Sequence, residues 1–253
     1  MTKPGDETSC LFCNKTFVAG KRGEDVSSDW YAREIGVPDG IVMVALIESN
    51  GAMVEQSRKT QTPAAKEFRL SEVCPDDCNG AWMSQIENDA KPILLQLMLG
   101  QKIELSPADQ EAIANWGQLK AICWDALQGG DVALPNTVYS QFMASRPLHW
   151  AVTIAHVKSH GRNDITFARN LGLMEIKGAG DNAPMIFRAS IIFDELMISV
   201  STALDTFLPP ELLREMTADG VLGIWPPMIG AEKATVSWPP PRQFSKEETG
   251  QLL

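Results

Sequence analysis

Clustered basic charge is what this sequence has least of. Against 32 Asp and Glu stand only 22 Lys and Arg, for a formal net charge of −10. The nearest thing to a basic cluster, Lys15, Lys21 and Arg22, runs at once into Glu24 and Asp25. Proteins that grip nucleic acid gain affinity by releasing counterions around Lys and Arg clusters. The balance therefore disfavours a nucleic-acid partner and leaves a protein partner open. Long apolar runs are missing as well. The longest, 41–47 and 93–99, fall far short of the roughly 20 residues that span a bilayer, so no membrane partner is expected. The first fifteen residues are polar and charged, without the apolar stretch of a secretion signal, and a soluble cytoplasmic protein is expected. Histidine is scarce: His149, His156 and His160 all lie in the second half. No phosphate-binding glycine loop, nucleophile elbow or Cys–His relay is present.

What is there reads as α+β. Apolar residues make up 44% of the 253, enough for a sizeable core. Extended stretches at 41–48 and 52–58 flank Ser49-Asn50-Gly51, a strong hairpin signal because Asn-Gly accepts positive φ. A short extended stretch, 66–73, leads to Cys74. Beyond Asn79, Trp82, Ile86, Ala90, Ile93, Leu94 and Leu97 recur at three- and four-residue spacing, the mark of a buried helical face. Pro92 is expected to kink this helix or start a second one. Ser106-Pro107 with Asp109 reads as the cap and first turn of another helix. Its apolar face carries Ile113, Trp116, Lys120, Cys123 and Leu127, and this spacing puts Trp82 and Trp116 in the core. Gly129-Gly130 ends that helix and marks the expected boundary between a first domain, 1–130, and a second, 131–253. The second begins with a short helix at 137–144. Strands follow at 151–157, 165–176, 185–201 and 221–225, with a turn over 178–183 and a short helix from Pro209-Pro210 to Met216. Trp225-Pro226-Pro227 is echoed by Trp238-Pro239-Pro240-Pro241, which reads as a tail packed along its own domain ahead of a ligand for a proline-recognition partner.

Four of the five cysteines fall in two close pairs, Cys10/Cys13 and Cys74/Cys78. Thiolates are soft ligands suited to tetrahedral zinc, and each short turn offers two sulfurs to one ion. With no secretion signal, a disulfide framework is disfavoured. The pairs therefore predict one structural Zn²⁺ held by Cys10, Cys13, Cys74 and Cys78. Cys123, on the apolar helix face, reads as core. His156 and His160 have the spacing of a helical metal pair, but at a strand end that spacing loses its meaning. Asp194-Glu195 reads as a solvated edge or strand end.

The segment Cys78-Asn79-Gly80-Ala81-Trp82-Met83 with Glu87, after a Cys-x-x-Cys at Cys10, resembles a group of HNH (ββα-metal) nuclease-like proteins of actinobacteria and their phages. Ile224–Pro227 and Trp238–Pro241 match a later pattern of the same group. The resemblance implies a treble-clef-like ββα unit with zinc knuckles. It aligns Glu24-Asp25-Val26-Ser27-Ser28-Asp29-Trp30 with the group's catalytic motif. Glu24 and Asn79 then stand at the positions that hold a divalent ion, Mg²⁺ or Mn²⁺. Asp25 stands where a histidine would deprotonate the attacking water, and Ser28 replaces a proline. An exposed Asp is ionised at neutral pH but is a far weaker base than imidazole. The expectation is a zinc-knuckle domain with a helical hairpin, followed by a mostly antiparallel β domain. Its function is that of an HNH-like protein with a degenerate site, acting on nucleic acid or derived from one that does. If active, it is a divalent-metal-dependent endonuclease. The alternative is a non-catalytic acidic protein-interaction module of phage or defence context.

Overall fold

The computed structural model describes residues 5–19, 23–26, 30–31, 34, 42–49, 52–59, 69–128, 133–159, 164–173, 184–204, 219–227 and 234–252. The chain begins with a small antiparallel pair, β1 (Glu7–Ser9) and β2 (Thr16–Val18), in which Ser9 faces Thr16. The turn between them carries Cys10 and Cys13 and closes at Asn14, whose φ of 58° suits an asparagine. A second short pair joins β3 (Glu24–Asp25) to β6 (Arg69–Leu70). The expected extended stretch at 66–73 is thus a strand only at its centre among the described residues. Cys74 precedes a wide, π-helical turn, Pro75–Met83, that contains Cys78 and runs directly into α1 (Ser84–Met98).

Ile86, Ala90, Ile93, Leu94, Leu97 and Met98 form the buried face of α1, as the spacing predicts. Pro92 lies inside this single helix and starts no second one. Its missing amide deprives the carbonyl four residues back of a donor, a cost of about 3 kcal/mol. Burying each large side chain of that face contributes roughly 1.5–3 kcal/mol, which outweighs the loss. Ile86 is 6% exposed. Ile86→Asp is therefore expected to place an unpaired charge in the core and to cost about 3–5 kcal/mol. Thermal or urea unfolding checks this; an unchanged transition would show that the face is not packed.

After β7 (Ile103–Leu105) comes α2 (Pro107–Ala126). Ser106 and Asp109 close a reciprocal capping box, and Pro107 occupies the first turn, as its sequence signals indicate. From Trp116 to Asp125 every residue of α2 is buried. A helix buried on all sides lies between layers. One side of α2 packs on α1, and the other meets a seven-stranded sheet. Gly117 lets the helix backbone approach that sheet, because a Cβ there would sit 3.2 Å from Ile198 Cγ2. α3 (Thr137–Ala144) follows.

The sheet is built from β4 (Val42–Ser49), β5 (Ala52–Lys59), β8 (Ala151–His156), β9 (Asp164–Leu173), β10 (Met185–Phe193), β11 (Leu196–Ala203) and β12 (Val221–Trp225). Their order is β12-β8-β11-β10-β9-β4-β5, antiparallel throughout except for β4 beside β9. The expected hairpin places Ser49 opposite Ala52. The single strand expected at 185–201 is instead a tight hairpin: Phe193 faces Leu196, and Asp194 turns the chain with φ of 48°. Asp194-Glu195 is thus the turn itself.

β13 (Val236–Trp238) pairs with β7, and α4 (Lys246–Leu252) closes the described chain. Trp238 is buried, and the Trp225 indole donates to the Leu148 carbonyl at 2.9 Å, so both Trp-Pro segments pack on their own chain. Residues on the two sides of 130 share the large sheet and one core cluster, with Tyr31 edge-on to Phe193 at 5.1 Å. The turn expected at 178–183, the helix after Pro209-Pro210, His160 and Gly129-Gly130 lie outside the described residues. No described helix is long and apolar enough to cross a membrane.

Candidate metal centre and buried ion cluster

The β1–β2 turn and the π-helical turn bring Cys10, Cys13 and Cys78 together, with their sulfurs all within 4.8 Å of one another. Cys10 and Cys78 Sγ are 3.7 Å apart, and all five cysteines are free thiols. Three soft donors at such separations can hold a metal ion such as zinc. Cys74 stands beside this group. Its backbone N–H donates to Cys10 Sγ at 3.3 Å, while its thiol faces Asp77 Oδ2 at 3.6 Å. Asp77 is held in turn by Lys15 at 3.0 Å, which ties the two cysteine turns together at the surface.

The backbone supplies the electrostatics. Burial raises the Cys10 thiol, but the N–H groups of Cys13, Cys74 and Phe12 outweigh it and lower its pKa. Amides aimed at one sulfur stabilise its thiolate, the form that binds metal. Cys78 is pushed far up, first by burial and then by the negative charge of Cys10. Phe12, between Cys10 and Cys13 in the chain, packs edge-on to both Trp82 and Tyr139, each at 5.4 Å. Arg146 lies over the Trp82 ring, 4.7 Å from its centre.

The residues aligned with a nuclease centre are also drawn together. Asn79 Nδ2 donates to the Gly23 carbonyl at 2.6 Å, which anchors the second cysteine turn beside β3. Glu24 is 3% exposed and bonds Lys120 Nζ at 2.5 Å. Lys120 reaches in from α2, is fully buried, and also meets Glu87 at 2.6 Å and the Asp25 carbonyl at 2.7 Å. Asp25 carries a two-pronged pair with Arg69, at 2.7 and 3.0 Å. Burial opposes the Lys120 ammonium, but the Glu24 and Glu87 carboxylates outweigh it and hold its pKa above the usual lysine range. Burial likewise raises Glu24. Both directions favour the protonated form, through burial at Glu24 and through the neighbouring carboxylates at Lys120.

Sequence reading placed Lys120 on an apolar helix face without naming its partners. A lysine in such a stripe is itself a signal, since a buried ammonium requires buried anions. Glu87 is the acidic residue that answers it. His156 sits elsewhere, at the end of β8, with its ring 3.1 Å from Glu195 and edge-on to Trp238. A second ion pair, between the partly buried Arg169 and the buried Asp125 at 2.6 Å, lies at the end of α2, where Asp125 also accepts from the Ala133 and Leu134 amides. No protein-family model, curated protein or solved structure matches the chain.

Proposed function

We propose that the chain is a zinc-stabilised, HNH-like module whose nuclease positions serve as structural ion pairs, and that it cleaves DNA little or not at all. The carrying observation is that Glu24 and Asp25 are each already committed to a cation, Lys120 and Arg69 respectively. A carboxylate saturated by an ammonium has little capacity left for a catalytic Mg²⁺ or Mn²⁺. The Arg69 guanidinium occupies both oxygens of the Asp25 carboxylate, which leaves neither free to take a proton from a water. Asn79 spends its amide on the Gly23 carbonyl. The net charge of −10 favours a role without a nucleic-acid substrate.

The zinc half of the reading rests on the donor set. Cys10, Cys13 and Cys78 supply three thiolates, and Cys74 becomes the fourth by turning its sulfur away from Asp77. The backbone already fits this, because the Cys74 amide is bonded to Cys10 Sγ. A hairpin turn carrying the first pair and a helical turn carrying the second support a treble-clef-like unit. Bound zinc would supply folding energy and no chemistry, as closed four-thiolate sites do. Free thiols suit a reducing, cytoplasmic compartment.

Plasmid nicking with Mg²⁺ or Mn²⁺ tests the catalytic half. The native chain is expected to leave supercoiled DNA intact, and Asp25→His is the single change expected to restore some nicking. Efficient metal-dependent nicking that survives Asp25→Ala and is lost in Glu24→Ala would overturn the reading.

A further inference from the structure

We propose that the indole N–H of Trp82 donates to the Cys78 sulfur, which makes Trp82 a positioning residue of the cysteine metal centre, held and polarised by Arg146. This role rests on the zinc reading and belongs to a residue outside the four thiols. Trp82 follows Cys78 by four residues on the same π-helical turn, Pro75–Met83. Such a turn takes more than four residues to close, so a side chain four positions on returns close to the same face. The indole nitrogen is buried and, among the described residues, has no hydrogen-bond partner of ordinary geometry. An indole can only donate, and a donor buried without an acceptor is costly. Trp30, Trp116 and Trp238 bury unbonded indole nitrogens as well, but Trp82 is the one carried on a cysteine turn.

A neutral thiol accepts weakly, whereas a metal-bound thiolate accepts strongly. The orphaned donor is thus matched to the charged form of the sulfur, the form a metal ion selects. Burial and the charge of Cys10 push the Cys78 thiol up, and the Trp82 N–H acts in the opposite direction. The ring is fixed by its neighbours. Phe12, from the other cysteine turn, meets it edge-on at 5.4 Å, and Phe142 of α3 packs at 6.0 Å. The Arg146 guanidinium lies 4.7 Å from the ring centre, and its Nη1 donates to the Met143 carbonyl at 2.6 Å. A cation over an indole draws electron density from the ring and makes its N–H a stronger donor. Four thiolates on one Zn²⁺ carry a net charge of about −2, so a donor backed by a cation suits such a cluster.

Trp82→Phe keeps an aromatic ring beside Phe12 and removes the donor. Zinc affinity, measured by chelator competition, should fall about tenfold, the scale of a lost hydrogen bond to a metal ligand. In Co²⁺-substituted protein the thiolate-to-metal charge-transfer band should move to longer wavelength, because a sulfur freed of its donor gives up charge more easily. Placing the benzothiophene analogue of tryptophan at position 82 swaps the N–H for sulfur at almost unchanged shape. It should reproduce both effects even where Trp82→Phe does not fold. Arg146→Met should shift the band the same way by a smaller amount. Native protein that takes up neither zinc nor Co²⁺ would overturn the zinc reading and this role together. Native protein that binds the metal, with the band unmoved in the analogue, would overturn this role alone. That holds even if affinity falls, since lost packing lowers affinity without touching the electrons of the sulfur.

Discussion

If the cysteine cluster holds zinc as proposed, Cys78→Ser is expected to release it and to unfold the N-terminal unit. Zinc content should fall from about one per chain to near zero, because removing a thiolate opens a closed site. Structural zinc is worth roughly 10–16 kcal/mol of apparent binding energy in small domains, so the loss is not a marginal one. The β1–β2 and β3–β6 pairs are only two or three residues long per strand and cannot hold the unit together by themselves. In the proposed scaffold, the metal joining Cys10, Cys13 and Cys78 supplies the missing tie. Cys123→Ser provides the contrast: this thiol is buried in α2, outside the three-cysteine group, and its replacement should leave the zinc in place. Cys74→Ser separates three-thiolate from four-thiolate binding. Loss of zinc as complete as in Cys78→Ser is the expected result, and full retention would mean that Cys74 stays on Asp77. Metal analysis and far-UV dichroism on the same samples read all three variants.

Lys120→Met is the second change expected to have a large effect. It removes one ammonium and leaves Glu24 and Glu87 facing each other, with Glu24 buried. Breaking a buried ionic cluster from one side costs about 3–5 kcal/mol. In a chain of this size that is a fall of roughly 6–20 °C in melting temperature. Adding Glu24→Gln should recover part of the loss, since the repulsion disappears with the charge. By comparison, Lys91→Ala should cost about 0–1 kcal/mol, because its pair with Glu34 is partly solvated. The pH dependence follows from the directions. Lys120 has a folded-state pKa above its unfolded value, so its contribution is fully present below the unfolded value and is lost as pH rises through the folded one. The gap between native protein and Lys120→Met should therefore persist to about pH 10 and narrow only above it. Glu24 is also raised, so its ionisation weighs against the fold as pH climbs out of the acid range. A gap already gone at pH 8 would contradict the charged cluster.

Local signals in the sequence were readable where the physics is local. The capping box at Ser106 and Asp109, the Asn50-Gly51 hairpin and the apolar face from Ile86 to Leu97 each depend on residues within a few positions of one another. The cysteine pairs were readable for the same reason, and three of their four thiols meet in space. The hairpin at Asp194-Glu195 was not, because the turn carries neither glycine nor asparagine and its flanks form one apolar run. Pro92 starts no second helix, because tertiary burial outweighs a missing helical bond. The ion cluster lay further out of reach: Glu24 and Lys120 are 96 positions apart, and only packing brings them together. The parallel pairing of β4 with β9 is hidden in the same way. It joins the early hairpin to strands beyond residue 160, on the far side of Gly129-Gly130 in the sequence.

Zinc content of protein purified without chelator, measured together with thiol reactivity in the folded state, bears on the proposed scaffold with least interpretation. About one zinc per chain is expected, with Cys10, Cys13, Cys74 and Cys78 reacting only after a chelator is added and the N-terminal unit loosening as they do. Folded protein that carries no zinc and whose four thiols react at once would contradict it.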